Sequence, residues 1–249
     1  MKQLLNPGRI IFAIGFFALG FLCFIYKDFI VGRPPAWPAG FSGNPALGYV
    51  SGALLMIAAI TILMNKKAGS GALLIAILIL LLSLSRHLPH FMNDWANAYK
   101  SMALFGGALI IAASFFKEYN PVANKNTINA FIIIGSILMA AFFLMGSYAH
   151  FKYTAFVENL IPAYIPFHSF WAYCCGVFLF AGGIGLFIYP VRKWAALLSG
   201  IMIAGWFVLL HIPRFYADTS NTSDRLGLCE SFIFVGVFFV LAAIFAEKE

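Results

Sequence analysis

Charge is scarce in this chain: of 249 residues only 10% are Asp, Glu, Lys or Arg, and nine are acidic. A soluble fold covers its surface with such groups. A chain that is 62% hydrophobic and carries 28 phenylalanines has too few of them, measured against the roughly 45–50% apolar content of ordinary globular domains. Cysteine is equally sparse. Cys23, Cys174, Cys175 and Cys229 include no C-x-x-C pair, which argues against a thiol oxidoreductase motif and against a zinc cage. The adjacent Cys174 and Cys175 could bridge only in a strained geometry, so filling space between helices is their expected role. Long polar stretches are missing too. The longest connections, 28–44, 150–167 and 213–225, are too short to fold alone. No small-x-small cleavage site follows the first apolar run, which continues into Lys27-Asp28, so that run reads as a transmembrane helix and not as a removed leader. Bulky Leu22 before Cys23 argues against a lipoprotein. No basic stripe with interleaved aromatics stands outside the apolar runs, so the net charge of +7 points to an anionic lipid leaflet and not to nucleic acid.

What is present is apolar sequence of spanning length. A membrane helix needs about 20 mostly apolar residues, and eight runs qualify: 9–27, 45–64, 71–88, 101–116, 128–149, 168–189, 193–212 and 226–246. The expected fold is therefore an all-α integral membrane protein. Its two halves repeat a set of landmarks in the same order. Tyr26-Lys27-Asp28-Phe29 pairs with Tyr148-Ala149-His150-Phe151, and Pro35-Ala36-Trp37 with Pro162-Ala163-Tyr164. Tyr49-x-x-Gly52 pairs with Tyr173-x-x-Gly176, Lys66-Lys67 with Arg192-Lys193, and His87-Leu88-Pro89 with His211-Ile212-Pro213. An even number of helices per half makes the repeat parallel, related by an axis along the membrane normal. The expected organisation is two parallel four-helix repeats, residues 1–120 and 121–249.

Lys and Arg favour short cytoplasmic loops. With the N-terminus inside, nine basic residues (Lys248 among them) face the cytoplasm and seven face outward, while six of the nine acids lie on the outer side and Glu118, Glu247 and Glu249 on the inner. The tight basic turns Lys66-Lys67 and Arg192-Lys193 set the expected orientation: both termini cytoplasmic, in a cytoplasmic (inner) membrane, with the lipid bilayer as first partner.

Polar chemistry collects at the outer ends of the helices, and the inner halves are essentially Leu, Ile, Phe, Ala, Gly and Met. All five histidines, His87, His90, His150, His168 and His211, map to the outer ends, and Glu230 sits about one turn inside the eighth helix. Interfacial hydrogen bonding is the ordinary role of such histidines. A metal or haem site built from His150, His168 and His211 is not expected, because none of the tight ligand spacings of zinc motifs is present. Glu230 is the sharper signal. A carboxylate within a membrane helix needs neutralisation, for which Arg214 and His211 are at hand. Candidate ligand-contacting residues are His150, His168, His211, Arg214 and Glu230, with Tyr148 from the end of the fifth helix; they should converge in one cavity at the outer mouth of the second half. Gly182-Gly183-x-Gly185 lacks the strand and turn of a nucleotide fingerprint and reads as close helix packing. Trp37, Pro38, Pro162 and Pro166 should fold the first and third outer loops back over the bundle. Asn221-Thr222-Ser223 is a glycosylation sequon of the common chance kind.

The run Gly146-Ser147-Tyr148-Ala149-His150-Phe151, then Leu160-Ile161-Pro162, then Gly176 and a basic turn, resembles DoxX-like membrane proteins, and the first half resembles them more distantly. The resemblance implies a doubled four-helix DoxX unit: a redox-associated, quinone-linked membrane subunit or scaffold, with quinone as the admissible cofactor and another membrane or redox protein as partner. Members of that family often carry an acid just after the second-helix glycine. Here Ala53 follows Gly52 and Val177 follows Gly176, so the acid is missing, which counts against a direct oxidoreductase role; Glu230, from another helix, is the candidate substitute. The alternative function is a transporter or binder of a small apolar or sulfur-containing molecule.

Overall fold

The computed structural model describes residues 1–37, 44–119 and 124–247. Pro38, Lys248, Glu249 and the join of the two halves at 120–121 lie outside the described residues. Among those described, eight helices are long and apolar enough to cross a membrane. They are α1 (Leu5–Tyr26), α2 (Pro45–Leu63), α3 (Ala68–His90), α4 (Trp95–Tyr119), α5 (Lys125–Lys152), α6 (His168–Gly185), α7 (Arg192–Ala217) and α8 (Thr222–Ala246). The chain is thus an all-helical, multi-pass membrane protein, with no strand among the described residues.

Helix starts follow local chemistry. Asn44, Asn124 and Asn221 cap α2, α5 and α8, each side chain accepting from a backbone N–H in the first turn, the group that helix geometry leaves unpaired. Asn221, the first residue of the sequon, is therefore a cap. Both α3 and α7 contain a π-helical turn, at Leu80–Leu84 and Phe207–His211, which lets each helix continue through a nearby proline. A short helix, Thr154–Leu160, lies in the connection from α5 to α6, where the sequence suggests only a loop.

Each helix packs on its chain neighbours, α8 returns to α1, and α4 touches α8 across the middle. The burial gradient follows: 78% of the most apolar window of α8 and 72% of that of α4 are enclosed, against 33% for α6 and 17% for α7. Close approaches rest on glycine pairs. A methyl group added at Gly8, Gly20, Gly52 or Gly135 would sit 2.5–2.8 Å from the carbonyl oxygen of the facing helix, so α1–α8, α1–α2 and α4–α5 meet backbone to backbone, as small residues permit in membranes. Gly182, Gly183 and Gly185 form the end of α6 and press against Ser199, Leu144 and Ala195, a packing role.

The end of the bundle that carries the termini is not purely apolar. Arg9, 3% exposed, pairs with Glu118 at 2.6 Å, donates to Ser114 at 3.0 Å and lies over the Phe115 ring, and Lys117 pairs with Glu247. These contacts tie α1 to α4 and α4 to α8.

Candidate functional site

At the opposite, distal end, polar side chains form two adjoining clusters. The first belongs to α1–α4. Asp28, just past α1, meets Arg86 of α3 (Nη2 to Oδ2, 3.2 Å), and Arg86 also donates to the carbonyls of Pro35 at 2.6 Å and Phe29 at 3.0 Å. Trp37 donates to Asp28 at 2.8 Å while its ring lies 4.3 Å from the Arg86 guanidinium, a stacked cation. Nearby, His87 stands 3.0 Å from Ser101 Oγ through Nε2 and 3.2 Å from Asp94 through Nδ1. This Ser-His-Asp order has the outline of a nucleophilic triad, but Ser101 is fully buried and bonded to Ser83 and to the Gly32 carbonyl. No reactant can approach its hydroxyl. The arrangement fastens the loop: Phe29 and Val31 are fully enclosed, and Gly32, at φ +76°, leaves no room for a side chain, because a Cβ there would lie 2.0 Å from Ser101 Oγ.

Gly32 joins the first cluster to the second. Its N–H donates to Glu230 Oε1 at 3.2 Å. The other carboxylate oxygen accepts from Lys100 of α4 at 3.0 Å and lies 3.8 Å from Arg33 Nε. Glu230 is only 4% exposed at its side chain and Lys100 14%. A carboxylate in such surroundings persists as a charge only when paired and hydrogen-bonded, and both oxygens are engaged.

This ion cluster lies at the polar end of a cavity of about 350 Å³. Its wall includes Arg33, Lys100, His150, His211 and Glu230, and apart from Ser231 the rest is apolar, with Phe142, Phe143, Trp171, Cys175, Trp206 and Leu210 prominent. His150 Nδ1 contacts the Gly146 carbonyl at 2.8 Å. A carbonyl can only accept, so in the neutral ring Nδ1 carries the proton and Nε2 remains an acceptor. The His211 ring rests over Gly227, and among the described residues no hydrogen bond is made to it. Arg33 donates through Nη2 to the Ser223 carbonyl at 2.8 Å, while its buried Nε has no hydrogen-bond partner among the described residues. The cavity can therefore offer donors from Lys100, Arg33 and His211 at one end and an apolar cup at the other.

Of the residues singled out in the sequence, His150, His211 and Glu230 meet in this cavity and Arg214, His168 and Tyr148 do not. Arg214 pairs with Asp224 at 2.8 Å and donates to the Leu160 carbonyl, so it holds α7, α8 and the short helix together, and Glu230 is neutralised from α4 and the first loop instead. His168 opens α6, half-buried, away from the cavity. Tyr148 is half exposed and packs edge-on against Trp95 and Tyr153. Arg33 and Lys100 were not anticipated, since both come from the first half. The available signal was Lys100 itself, a basic residue abutting the fourth apolar run. All four cysteines are free thiols; Cys175 accepts from Trp206 Nε1 at 3.0 Å.

One family model, described as Domain of unknown function (DUF8561), matches residues 139–221, a stretch from the middle of α5 to the turn before α8. That stretch contains His150 and His211 and stops short of Glu230. No curated protein and no solved structure matches the chain.

Proposed function

We propose that the chain is a membrane-embedded binding protein for a small amphipathic molecule, which it holds in the distal cavity with the polar head at Lys100, Arg33 and Glu230. The observation that carries this reading is the placement of a charged cluster at one end of an otherwise apolar cavity. A pocket of mostly hydrophobic wall with a few convergent polar groups is the usual form of a small-molecule site, and intramembrane ionisable groups commonly serve function. His150 Nε2 and His211 add an acceptor and a hydrogen-bonding ring beside the same head. Chain purified from its own membranes should carry about one such molecule, identified by mass spectrometry of the extract. Leu210→Trp, which fills the cavity, should lose it. Equal recovery from both proteins contradicts the reading.

The second reading is the quinone-linked, redox-associated subunit that the DoxX resemblance implies, with another membrane or redox protein as partner. Its support is the Gly146–Phe151 motif, which places His150 in the cavity wall. Quinone heads carry carbonyl acceptors that Lys100, Arg33 and His211 suit. Purified chain that binds no quinone analogue but retains another amphiphile would remove this reading and leave the first.

The architecture we propose is two parallel four-helix repeats, 1–120 and 121–249. Exchanging α1–α4 with α5–α8 carries the pattern of helix neighbours onto itself: α1–α2 with α5–α6, α3–α4 with α7–α8, α1–α8 with α4–α5, and α4–α8 with itself. The paired glycines support it too, since Gly52 seats α2 on α1, and Gly176 seats α6 against His150 and Phe151 of α5. We place the termini in the cytoplasm of a bacterial-type inner membrane and the cavity at the extracytoplasmic side, on the basic turns Lys66-Lys67 and Arg192-Lys193. A reporter fused after Glu249 should read as cytoplasmic, and periplasmic activity of that fusion would reverse the placement.

A further inference from the structure

Beside the cavity lies a second, larger space of about 660 Å³, a groove between α6 and α7. Ile165 and Leu209 line its distal end, and Val191 and Trp194 the end near the termini. At 1.5 Å per helical residue, Trp194 to Leu209 spans roughly 22 Å, about three-quarters of a hydrocarbon core of about 30 Å. Apart from Ser199 the lining is apolar, aromatic or glycine. The two helices that form it are the least enclosed in the bundle, at 33% and 17%, so the groove faces lipid. It does not end blindly. Trp171, Cys175, Met202 and Trp206 line both the groove and the cavity, and the two indoles meet edge to face with centroids 5.9 Å apart. A four-residue partition therefore separates lipid from the ion cluster.

The charges on the cavity side select among possible occupants. Its charged lining is Arg33, Lys100 and Glu230, two cations against one carboxylate; Asp94, bonded to His87 and Asn97, stands outside that lining but within electrostatic reach of Lys100. Glu230 is bonded to Lys100 and lies 3.8 Å from Arg33 Nε, which among the described residues is a buried donor without a hydrogen-bond acceptor. A buried donor left unpaired is costly, and with Lys100 already bound to Glu230 an anionic head gives Arg33 a charge-assisted acceptor that a neutral hydroxyl does not match.

We propose that the groove is the tail channel of this cavity: a single-chain amphiphile with an anionic head enters sideways from the bilayer between α6 and α7, passes the Trp171–Trp206 partition, and lodges with its head at Arg33 and Lys100 and its chain along the groove. This rests on the cavity being a ligand site and adds its route and its substrate class. Gly205 provides the means of testing it. It lines the groove, and a Cβ there meets nothing within 4 Å among the described residues, so Gly205→Phe starts from open space and brings an apolar ring into the channel without a buried polar group. Gly182, by contrast, faces Ser199 Oγ at 2.6 Å from an added Cβ and is unsuitable.

The experiment is native mass spectrometry of the delipidated full chain with hexadecanoate and, separately, hexadecanol. The wild-type chain should bind one hexadecanoate, and hexadecanol at least tenfold more weakly. Gly205→Phe should weaken hexadecanoate at least tenfold, with Gly205→Leu giving a smaller shift in the same direction and guarding against a folding defect in the larger variant. If hexadecanoate binds and Leu210→Trp abolishes it, yet both Gly205 variants stay within twofold of wild type, the channel is wrong and the cavity reading stands. Equal binding of hexadecanol overturns the anionic head. Absence of any binding that Leu210→Trp can remove overturns the channel together with the cavity reading it rests on.

Discussion

At the distal end of α1–α4, Asp28 and Arg86 form an ion pair covered by Trp37. At the positions that the sequence pairing assigns to them in α5–α8 stand His150 and Leu210, and both line an open cavity. The two histidines that share the His-x-Pro landmark differ in the same sense. His87 is sealed between Asp94 and Ser101, whereas His211 is half-buried in the cavity wall with no hydrogen bond among the described residues. At these positions the polar residues of α1–α4 pair with one another and leave no room for a guest, while Arg33 and Lys100 of the same half turn instead to Glu230. In α5–α8 an arginine is absent where one would fill the space, and the donors are left available. Similar places in similar helices can serve stability in one half and, in the proposed function, binding in the other, and what decides is whether each polar group has a partner within the protein.

The sharpest way to break this contrast is to remove the group that links the two clusters. Glu230→Ala leaves Lys100 buried without its hydrogen-bonded counter-charge, which costs on the order of 3–5 kcal/mol when one member of a buried pair is deleted. A large fall in melting temperature and in monodisperse yield is expected. Glu230→Gln combined with Lys100→Met should recover most of it. A melting temperature for Glu230→Ala within a few degrees of wild type would mean that the link holds nothing together.

Next comes the matched pair Asp28→Ala and His150→Ala. Arg86 is 4% exposed at its side chain, and Asp28 is 35% exposed, so solvent screening reduces the loss. About 2 kcal/mol is expected for Asp28→Ala and about 1 kcal/mol or less for His150→Ala, measured by thermal unfolding. Ligand retention should respond in the opposite order, falling for His150→Ala and holding for Asp28→Ala. The contrast fails if the two variants lose stability equally.

Leu210→Arg imposes the first half's solution on the second. It should lower ligand retention at least tenfold, or about 1.4 kcal/mol. Adding His150→Asp should restore stability and leave binding lost, since the Asp28–Arg86 pair would then be rebuilt on α5 and α7. Binding that survives Leu210→Arg places the ligand elsewhere. The smallest effect is expected at Cys174 and Cys175. Replacing both by alanine should cost roughly 1 kcal/mol or less per site, as for small core truncations, with ligand retention kept. Complete loss of ligand at normal protein levels would show that the thiols do more than pack.

The helices were legible because spanning length and apolar content leave little freedom, and where the boundaries moved the reason is physical. The fourth apolar run begins at 101 by hydropathy, but α4 starts at Trp95. Asn97 and Lys100 shorten the hydropathy signal although Lys100 is built into the interior, where ion pairing with Glu230 replaces water. α7 runs to Ala217 through Pro213, beyond the expected 212, because a π-helical turn precedes the proline. The convergence of His150, His211 and Glu230 could be anticipated from the depth each reaches in its helix. Arg33 and Lys100 could not be assigned as partners of Glu230 in the same way. Arg214 is nearer in sequence, and only the packing of α4 on α8 shows that Arg214 is committed to Asp224.

The central claim is that the second half keeps a ligand site where the first half is filled. A high-resolution density map of the full chain in lipid nanodiscs tests it most directly. The account predicts elongated density in the distal cavity, touching Lys100, Arg33 and His211 and absent from Leu210→Trp, with none between Asp28 and Arg86. Side chains collapsed into that cavity in the wild-type chain, or density unchanged by Leu210→Trp, would contradict it.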